Sequence, residues 1–215
     1  RQGQADTASS DTAVKKRTSR MDYDYKKGDY KVNLDNSSST STSKDTVSTI
    51  AGVEKSAKNL KSAADKLVQR GSESVFKQTA GEYDTDKIYD AVNNFASAYN
   101  DVITKASASD SSSIENAARS MKNATAVNAK ALSKIGITIG SDNKLSVDEK
   151  TFKAADMNSV KSLFNGNGSF GYQTEVKASM IDSAASMEAG RSNTYTGRGS
   201  YSYNFNAGNL FNQSI

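Results

Sequence analysis

The chain has 215 residues, with 28 Lys and Arg against 24 Asp and Glu, so its formal net charge is only +4. Hydrophobic residues make up 35% of the chain and the mean hydropathy is -0.67, which favours elongated packing over a thick core. The charges alternate in sign along the chain, which argues against a nucleic-acid partner, and no apolar run approaches the roughly 20 residues of a membrane span.

Cysteine, histidine and proline are all absent. The chain therefore has no thiolate nucleophile or thiolate metal site, and it lacks the commonest general base and metal ligand. We expect no catalytic residues, no cofactor and no metal, and we expect long helices because the usual helix breaker is missing. An enzyme that acts on wall polymers through a pair of Asp or Glu carboxylates stays formally open.

The N-terminal part, residues 1–45, is predicted to be a polar arm. Within it, Tyr30, Val32 and Leu34 occupy alternate positions, as in a short half-buried strand, and a serine-rich linker follows. A helical domain is predicted to begin at residue 46 and to extend to residue 190.

Two helices with apolar seams open this domain. The first begins near Val47 and ends before Gly71, and the second begins after Asp84 or Asp86. Steps of three and four residues place the apolar side chains of each helix on one face. The residues predicted to pack at these seams, inside the chain or between subunits, are Ile50, Val53, Leu60, Leu67, Ile88, Val92, Phe95 and Tyr99.

A third helix is predicted to begin at Ser112, which has capping-box spacing to Glu115, and to continue to Ile135. Asn128 interrupts its apolar stripe, either as a register device or, as we prefer, at the edge of the stripe. A β-hairpin is then predicted over residues 136–148, because apolar and polar residues alternate on both sides of a "GSDN" turn. The side chains expected to pack against a helix are Ile137, Ile139, Leu145 and Val147.

Short helices follow the hairpin, the first capped by Ser146 with Glu149 or by Asp148 alone, and the second by Asp156. A last helical stripe, expected to pack onto the bundle, consists of Tyr172, Val176, Met180, Ala184 and Met187. Residues 191–215 form a tail rich in Gly, Asn and Tyr, in which a late strand is an alternative to an irregular end. The predicted fold is mainly α, an elongated helical bundle or coiled-coil-like shaft with a small β-hairpin and extra short strands near both termini.

Four short phrases follow one another along the chain: an F-x-x-A-Y-N helix, an "L..IGIT" segment, a turn followed by "KL" and "DE", and a final "V..LF". Their residues are Phe95, Ala98, Tyr99, Asn100, Leu132, Ile135, Gly136, Ile137, Thr138, Lys144, Leu145, Asp148, Glu149, Val160, Leu163 and Phe164. Each phrase alone is common, but their order and spacing together are specific. Together they resemble the C-terminal region of the flagellar hook-associated protein 2 family, the flagellar filament cap.

The resemblance implies a non-enzymatic structural protein that is extracellular, in the bacterial flagellum or secreted. Its expected partners are itself, as a homo-oligomer, and flagellin or hook-associated proteins. Cap proteins usually carry large domains between their two helical parts, whereas here only about a dozen residues, Ser72 to Tyr83, connect them. The alternative is therefore a secreted or cell-surface binding module derived from the cap shaft, without a flagellar role.

Overall fold

The computed structural model describes residues 43–192 and, as backbone, two short strands near the N-terminus. The chain divides into two units, residues 1–39 and residues 40–215. In the first unit, β1 (Asp22–Asp24) pairs antiparallel with β2 (Asp29–Lys31), with Tyr23 opposite Tyr30. The predicted N-terminal strand thus coincides in part with β2, while its positions 32 and 34, like the predicted strand in the C-terminal tail, lie outside the described residues.

The described part of the second unit is mainly helical, with two small antiparallel hairpins, which confirms the predicted fold class. None of its helices is both long enough and apolar enough to cross a membrane. The helices are α1 (Val47–Val68), α2 (Thr85–Ser107), α3 (Ser112–Val127), α4 (Ala129–Lys134), α5 (Glu149–Ala154), α6 (Met157–Phe164) and α7 (Phe170–Ser192). The hairpins pair β3 (Gln78–Thr79) with β4 (Glu82–Tyr83), and β5 (Ile137–Ile139) with β6 (Leu145–Val147).

The four long helices, α1, α2, α3 and α7, enclose one core. Helix α1 packs against α2 and α7, and α3 packs against the same two helices. Helix α7 begins near the end of α1, where the Gly166 amide donates to the Val68 carbonyl at 3.3 Å, and it ends near the start of α3, where Ser111 contacts Glu188. Neighbouring helices therefore run antiparallel, as in an up-and-down bundle.

Side chains at predicted positions cap three of the described helices, α2, α5 and α6. Asp84 accepts from the Lys87 amide, Asp148 from the Thr151 amide, and Asp156 from the amides of two residues in the first turn of α6. The predicted capping box at Ser112 is wrong by one residue, because Ser111 is the residue whose hydroxyl accepts from the Ile114 amide.

The third predicted helix is broken at Asn128, which separates α3 from α4. Its side-chain amide donates to the Ala124 carbonyl at 2.8 Å, so it competes for a carbonyl that would otherwise accept only from the main chain. Asn128 therefore separates two helices, where the sequence had indicated an uninterrupted helix with this residue at the edge of its stripe.

The predicted face of α7 is also wrong. Tyr172, Val176, Met180 and Met187 are exposed, and of the predicted stripe only Ala184 is buried. Thr174, Ala178, Ile181, Ala185 and Glu188 instead turn toward the core. Both faces of this helix carry apolar residues, so periodicity alone does not indicate which face is buried.

Gly136 permits the sharp passage from α4 into the hairpin. Its φ angle is +78°, and a Cβ atom there would lie 2.9 Å from the backbone nitrogen of Phe152. Gly168 has a similar φ of +83°, but a Cβ atom at that position would meet nothing within 4 Å. The two glycines thus share a backbone conformation and differ in the space around them.

We predict that Gly136→Ala lowers the free energy of unfolding more than Gly168→Ala does. Both substitutions place a side chain in the left-handed region, at a cost of about 1–2 kcal/mol, and only Gly136→Ala adds a clash with backbone. Urea denaturation of the two variants measures the difference. Equal losses of stability would show that the hairpin moves freely away from α5.

Two exposed caps predict a dependence of stability on pH. Hydrogen bonds from Thr151 lower the pKa of Asp148, and hydrogen bonds from Ser159 and Asn158 lower the pKa of Asp156. A carboxyl whose pKa is lower in the folded state stabilises the fold above its unfolded pKa, about 3.9. That contribution is lost as the pH falls through the folded pKa.

We therefore expect the Asp148→Ala, Asp156→Ala double variant to be less stable than the parent chain at pH 7, and this deficit to shrink as the pH falls below the unfolded pKa of about 3.9. Denaturation midpoints measured from pH 7 down into the acidic range test this expectation. Asp90→Ala is the matched control, because this exposed aspartate lies within α2 and caps no helix. A deficit of the double variant that stays constant with pH would contradict the assignment.

Candidate functional site

Asn100 on α2 fastens the hairpin β5–β6 to the bundle. Its side-chain amide nitrogen donates to the Leu145 carbonyl at 2.8 Å, and its oxygen accepts from the Leu145 amide at 2.7 Å. Both backbone groups of Leu145 are thus paired by one side chain. A carboxamide fits this role because it offers a donor and an acceptor side by side. We call this pair of hydrogen bonds the Asn100 clamp.

The other residues of the F-x-x-A-Y-N phrase lie in the core beside the clamp. The ring of Phe95 meets the rings of Phe164 and Phe170 edge to face, with centroids 5.5 and 5.8 Å apart. Tyr99 is fully buried; burial raises its pKa, and the neighbouring Thr125 hydroxyl opposes that shift in part. The phrase therefore joins α2 to α6, α7 and the hairpin.

The hairpin packs as predicted at two positions and more loosely at two others. Ile137 and Leu145 are 1% and 5% exposed, while Ile139 and Val147 are partly buried against the core. All four residues lie on the bundle side of the hairpin, since positions 137 and 139 alternate with the exposed Thr138. A two-stranded hairpin is marginal alone in water, so this contact and the Asn100 clamp together hold it.

Helix α5, which follows the hairpin, is attached to α2 by charge and by aromatic contact. The Lys153 ammonium lies 2.7 Å from Asp86 and 2.6 Å from Glu149, and these bonds raise the pKa of Lys153. The same ammonium lies 5.0 Å from the ring centroid of Tyr89, which meets Phe152 edge to face. Asp86 and Glu149 are exposed, so these ion pairs contribute little to stability. The buried side chain of Phe152 is therefore the main attachment of α5 to the bundle.

The eight predicted seam residues on α1 and α2 are all buried within one chain. None of them is more than 2% exposed, and Phe95 and Tyr99 are completely covered. Their burial is consistent with the packing alternative of the prediction. A role of these residues between subunits stays a prediction.

At each end of the bundle, hydrogen bonds that the sequence did not indicate join segments that are distant along the chain. At one end, Asp45 accepts from the Ser109 hydroxyl and from the Asp110 amide, and the buried Ser111 hydroxyl donates to Glu188. At the other end, the Asn165 side-chain amide donates to the carbonyls of Leu67 and Gln69 and so completes the C-terminus of α1. Each contact joins residues more than 60 positions apart, which no local pattern reveals.

Three grooves on the surface of the described residues have charged side chains at their borders. A groove of about 350 Å³ is bordered by Glu115 and Asp142, but both carboxylates are more than half exposed and paired with Arg119 and Lys144. A general acid of a glycosidase needs a less solvated carboxyl. Asp101 is the carboxylate bordering a second groove, of about 480 Å³ between α1 and α2.

The third groove, of about 490 Å³, lies at the end of α1 and is bordered by the cations of Arg70, Lys77 and Lys161. It adjoins the C-terminal ends of α1 and α6, where cations offset the helix dipoles. Within residues 43–192 and the two N-terminal strands, no group of three or more acidic side chains is placed to hold a metal ion.

The fold and these contacts define an antiparallel helical bundle with a tethered hairpin, in which the motif residues pack the helices and the hairpin together. Residues 109–212, just under half of the chain, match the family described as flagellar hook-associated protein 2 C-terminus. The match confirms the resemblance found in the motifs: this part of the chain is similar to the C-terminal region of the flagellar cap family. Comparison with curated proteins and with solved structures gave no match.

We predict that Asn100→Ala loosens the hairpin. Two hydrogen bonds are lost and both backbone groups of Leu145 are left without their partner, which costs about 1–3 kcal/mol. Hydrogen exchange of the Leu145 amide and urea denaturation measure the effect. Asn93→Ala, on the exposed face of the same helix, is the matched control and leaves both readouts unchanged. Unchanged protection of the Leu145 amide in Asn100→Ala would contradict the clamp.

Proposed function

We propose that the protein is a non-enzymatic structural component of the flagellar cap type, which assembles with itself or with axial flagellar proteins such as flagellin or hook-associated proteins. The observation that carries the proposal is the family match over residues 109–212, together with the scaffold role of the motif residues inside it. The proposed location is extracellular, at the flagellum.

The construction of the bundle supports a mechanical role. Helix α7 is fixed at its start by the phenylalanine cluster and close to its end by the bond of Glu188 to Ser111. The hairpin is fixed to α2 by the Asn100 clamp. An element held at both ends transmits force without rearranging, which suits a protein that stays bound to a growing polymer.

A second candidate is a secreted or cell-surface binding module without a flagellar role. The observation that favours it is the short connection between α1 and α2, which spans residues 69–84 and contains one turn of 3-10 helix and the hairpin β3–β4. The large domains that cap proteins usually carry at this place have no counterpart here. A module of this kind would bind a partner through the bundle surface alone.

We expect the purified chain to form oligomers or to bind flagellin or hook-associated proteins of the same bacterium. Sedimentation velocity of the chain alone and mixed with each of these proteins measures both kinds of association. Asn100→Ala serves as a variant with a loosened hairpin, and Asn93→Ala as its matched control. A chain that stays monomeric at high concentration and binds none of these proteins would refute the assembly proposal.

A deletion strain separates the two candidates. A cap role predicts that deletion of the gene leaves cells with few attached filaments and poor motility, and that the gene restores both on complementation. Motility and filament number measured by swimming assay and electron microscopy give the readout. Normal filaments in the deletion strain, with the protein present on the wild-type cell surface, would favour the binding module.

A further inference from the structure

The loop between α6 and α7 contains both Asn-Gly pairs of the chain, in the phrase "NGNG". They are Asn165 with Gly166 and Asn167 with Gly168. Asn-Gly is the dipeptide most prone to spontaneous deamidation, because glycine has no Cβ atom to hinder the attack of its amide nitrogen on the asparagine side chain. The two pairs consist of the same two residues, so the fold determines how differently they react.

The contacts that complete the C-terminus of α1 hold the side chain of Asn165. Its amide nitrogen donates to the carbonyls of Leu67 and Gln69 at 2.8 and 2.7 Å, and to the carbonyl of Val68 at 3.3 Å. This nitrogen is also the group that leaves in a deamidation. Reaction at Asn165 therefore breaks these hydrogen bonds and removes the donor that the α1 carbonyls share.

Gly166, which would supply the attacking nitrogen of the first pair, is held as well. Its amide donates to the Val68 carbonyl at 3.3 Å, and the residue is buried. The guanidinium of Arg70 covers it, since a Cβ atom added at Gly166 would collide with that group. Both reacting groups of the first pair are thus engaged in contacts of the fold.

Asn167 and Gly168 lack these restraints, and both residues are exposed. Within the described part of the chain, no group accepts a hydrogen bond from the Gly168 amide and none pairs with the Asn167 side chain. The Gly168 carbonyl accepts from the Gln173 side chain at 3.1 Å, which does not involve the attacking nitrogen. A Cβ atom at Gly168 would meet nothing within 4 Å, so the second pair has room to reach a reactive geometry.

We propose that Asn167 is a site of spontaneous deamidation and isomerisation, and that the fold protects Asn165. The Gly168 amide nitrogen loses its proton and attacks Cγ of Asn167. The new bond between this nitrogen and Cγ closes a cyclic succinimide, and the side-chain nitrogen takes up a proton and leaves as ammonia.

Water then opens the succinimide ring at either of its two carbonyls. Cleavage of the bond between the Gly168 nitrogen and Cγ gives aspartate. Cleavage of the bond between that nitrogen and the main-chain carbonyl carbon gives isoaspartate, in which the main chain continues through Cγ. In sum, asparagine and water give aspartate or isoaspartate and ammonia, and no other reactant is needed.

Either product places a carboxylate just before α7. The Ser169 hydroxyl accepts from the Tyr172 amide at 3.1 Å and so caps this helix. A negative charge near the start of a helix is favoured by the helix dipole. Aspartate at position 167 is therefore compatible with the fold, whereas aspartate at position 165 would face three main-chain carbonyls without a hydrogen to donate. The site is independent of the flagellar role, because it depends only on this loop.

Incubation of the folded full-length chain, followed by a brief tryptic digestion, tests the proposal. Cleavage after Lys161 and after Lys177 gives one peptide that contains both pairs. Tandem mass spectrometry assigns the mass shift of deamidation to one asparagine or the other, and chromatography separates the aspartate and isoaspartate forms. We expect Asn167 to react at least about tenfold faster than Asn165, because reaction at Asn165 first breaks several hydrogen bonds.

The same measurement on the chain unfolded in urea isolates the contribution of the fold. We expect both pairs to react at similar rates there, because the contacts of Asn165 with α1 are lost. Asn167→Gln is the matched variant of the folded chain. It keeps a carboxamide at the exposed position, but the longer side chain closes a ring far more slowly, so the modification at this position should disappear.

Two further variants test how well the fold accepts the product. We expect Asn167→Asp to keep the urea midpoint of the parent chain and Asn165→Asp to lower it, because only Asn165→Asp removes hydrogen bonds to α1. Circular dichroism of both variants checks that the helices are retained.

Three outcomes would overturn the proposal. Similar rates at Asn165 and Asn167 in the folded chain would show that the contacts with α1 give no protection. An unmodified Asn167 in the folded chain, with reaction at both pairs in urea, would show that the loop holds this pair in an unreactive geometry. Equal losses of stability in Asn165→Asp and Asn167→Asp would show that the fold distinguishes neither position.

Discussion

The packing of α7 along α1 is the contact on which the rest of the fold depends. These two helices are the first and the last along the described part of the chain. They pack antiparallel to each other, and the helices between them in the sequence pack around this contact. Asn165 completes the end of α1 just before α7 begins, and the Phe164 and Phe170 rings close the core at the same place. Without this long-range closure, α2 and α3 would each leave an apolar face in water, at a cost proportional to its area.

The region that matches the cap family does not contain the whole bundle. Residues 109–212 include α3 to α7, while α1 and α2 precede the match. Yet Leu60 and Leu67 on α1, and Phe95 and Tyr99 on α2, fill the core that the matched helices surround. The family region is therefore one part of a structural unit that the N-terminal helices complete, and we expect the two parts to fold together.

Local patterns were sufficient where one face of an element is apolar and the other polar. The seams of α1 and α2 and the inward positions of the hairpin could be predicted because their periodicity leaves one choice. The same reasoning failed for α7, where Ala178 and Ile181 are buried and Val176 and Met180 are exposed. When a helix has two apolar faces, periodicity does not indicate which one is buried. In α7 the contact with α1 and α3 determines the buried face.

Hydrogen bonds between distant residues were beyond the reach of the sequence. Asn100 stood in a recognisable phrase, but nothing local indicated that its partner is the backbone of Leu145. Asp45 and Asn165 gave no signal at all, because each acts on helix ends that lie more than 60 positions away. Ordinary polar residues in linkers take such roles whenever chain closure leaves a main-chain group without a partner.

The small hairpin β3–β4 is a position at which the bundle can accept an insertion in the chain. Its turn, at Ala80 and Gly81, uses positive φ angles to bring the chain straight back, and Gln78 pairs with Tyr83 across it. The chain thus leaves and re-enters the scaffold at one point on the surface. Because the entropic cost of a longer loop rises only with the logarithm of its length, whole domains can be gained or lost there while the helices keep their positions.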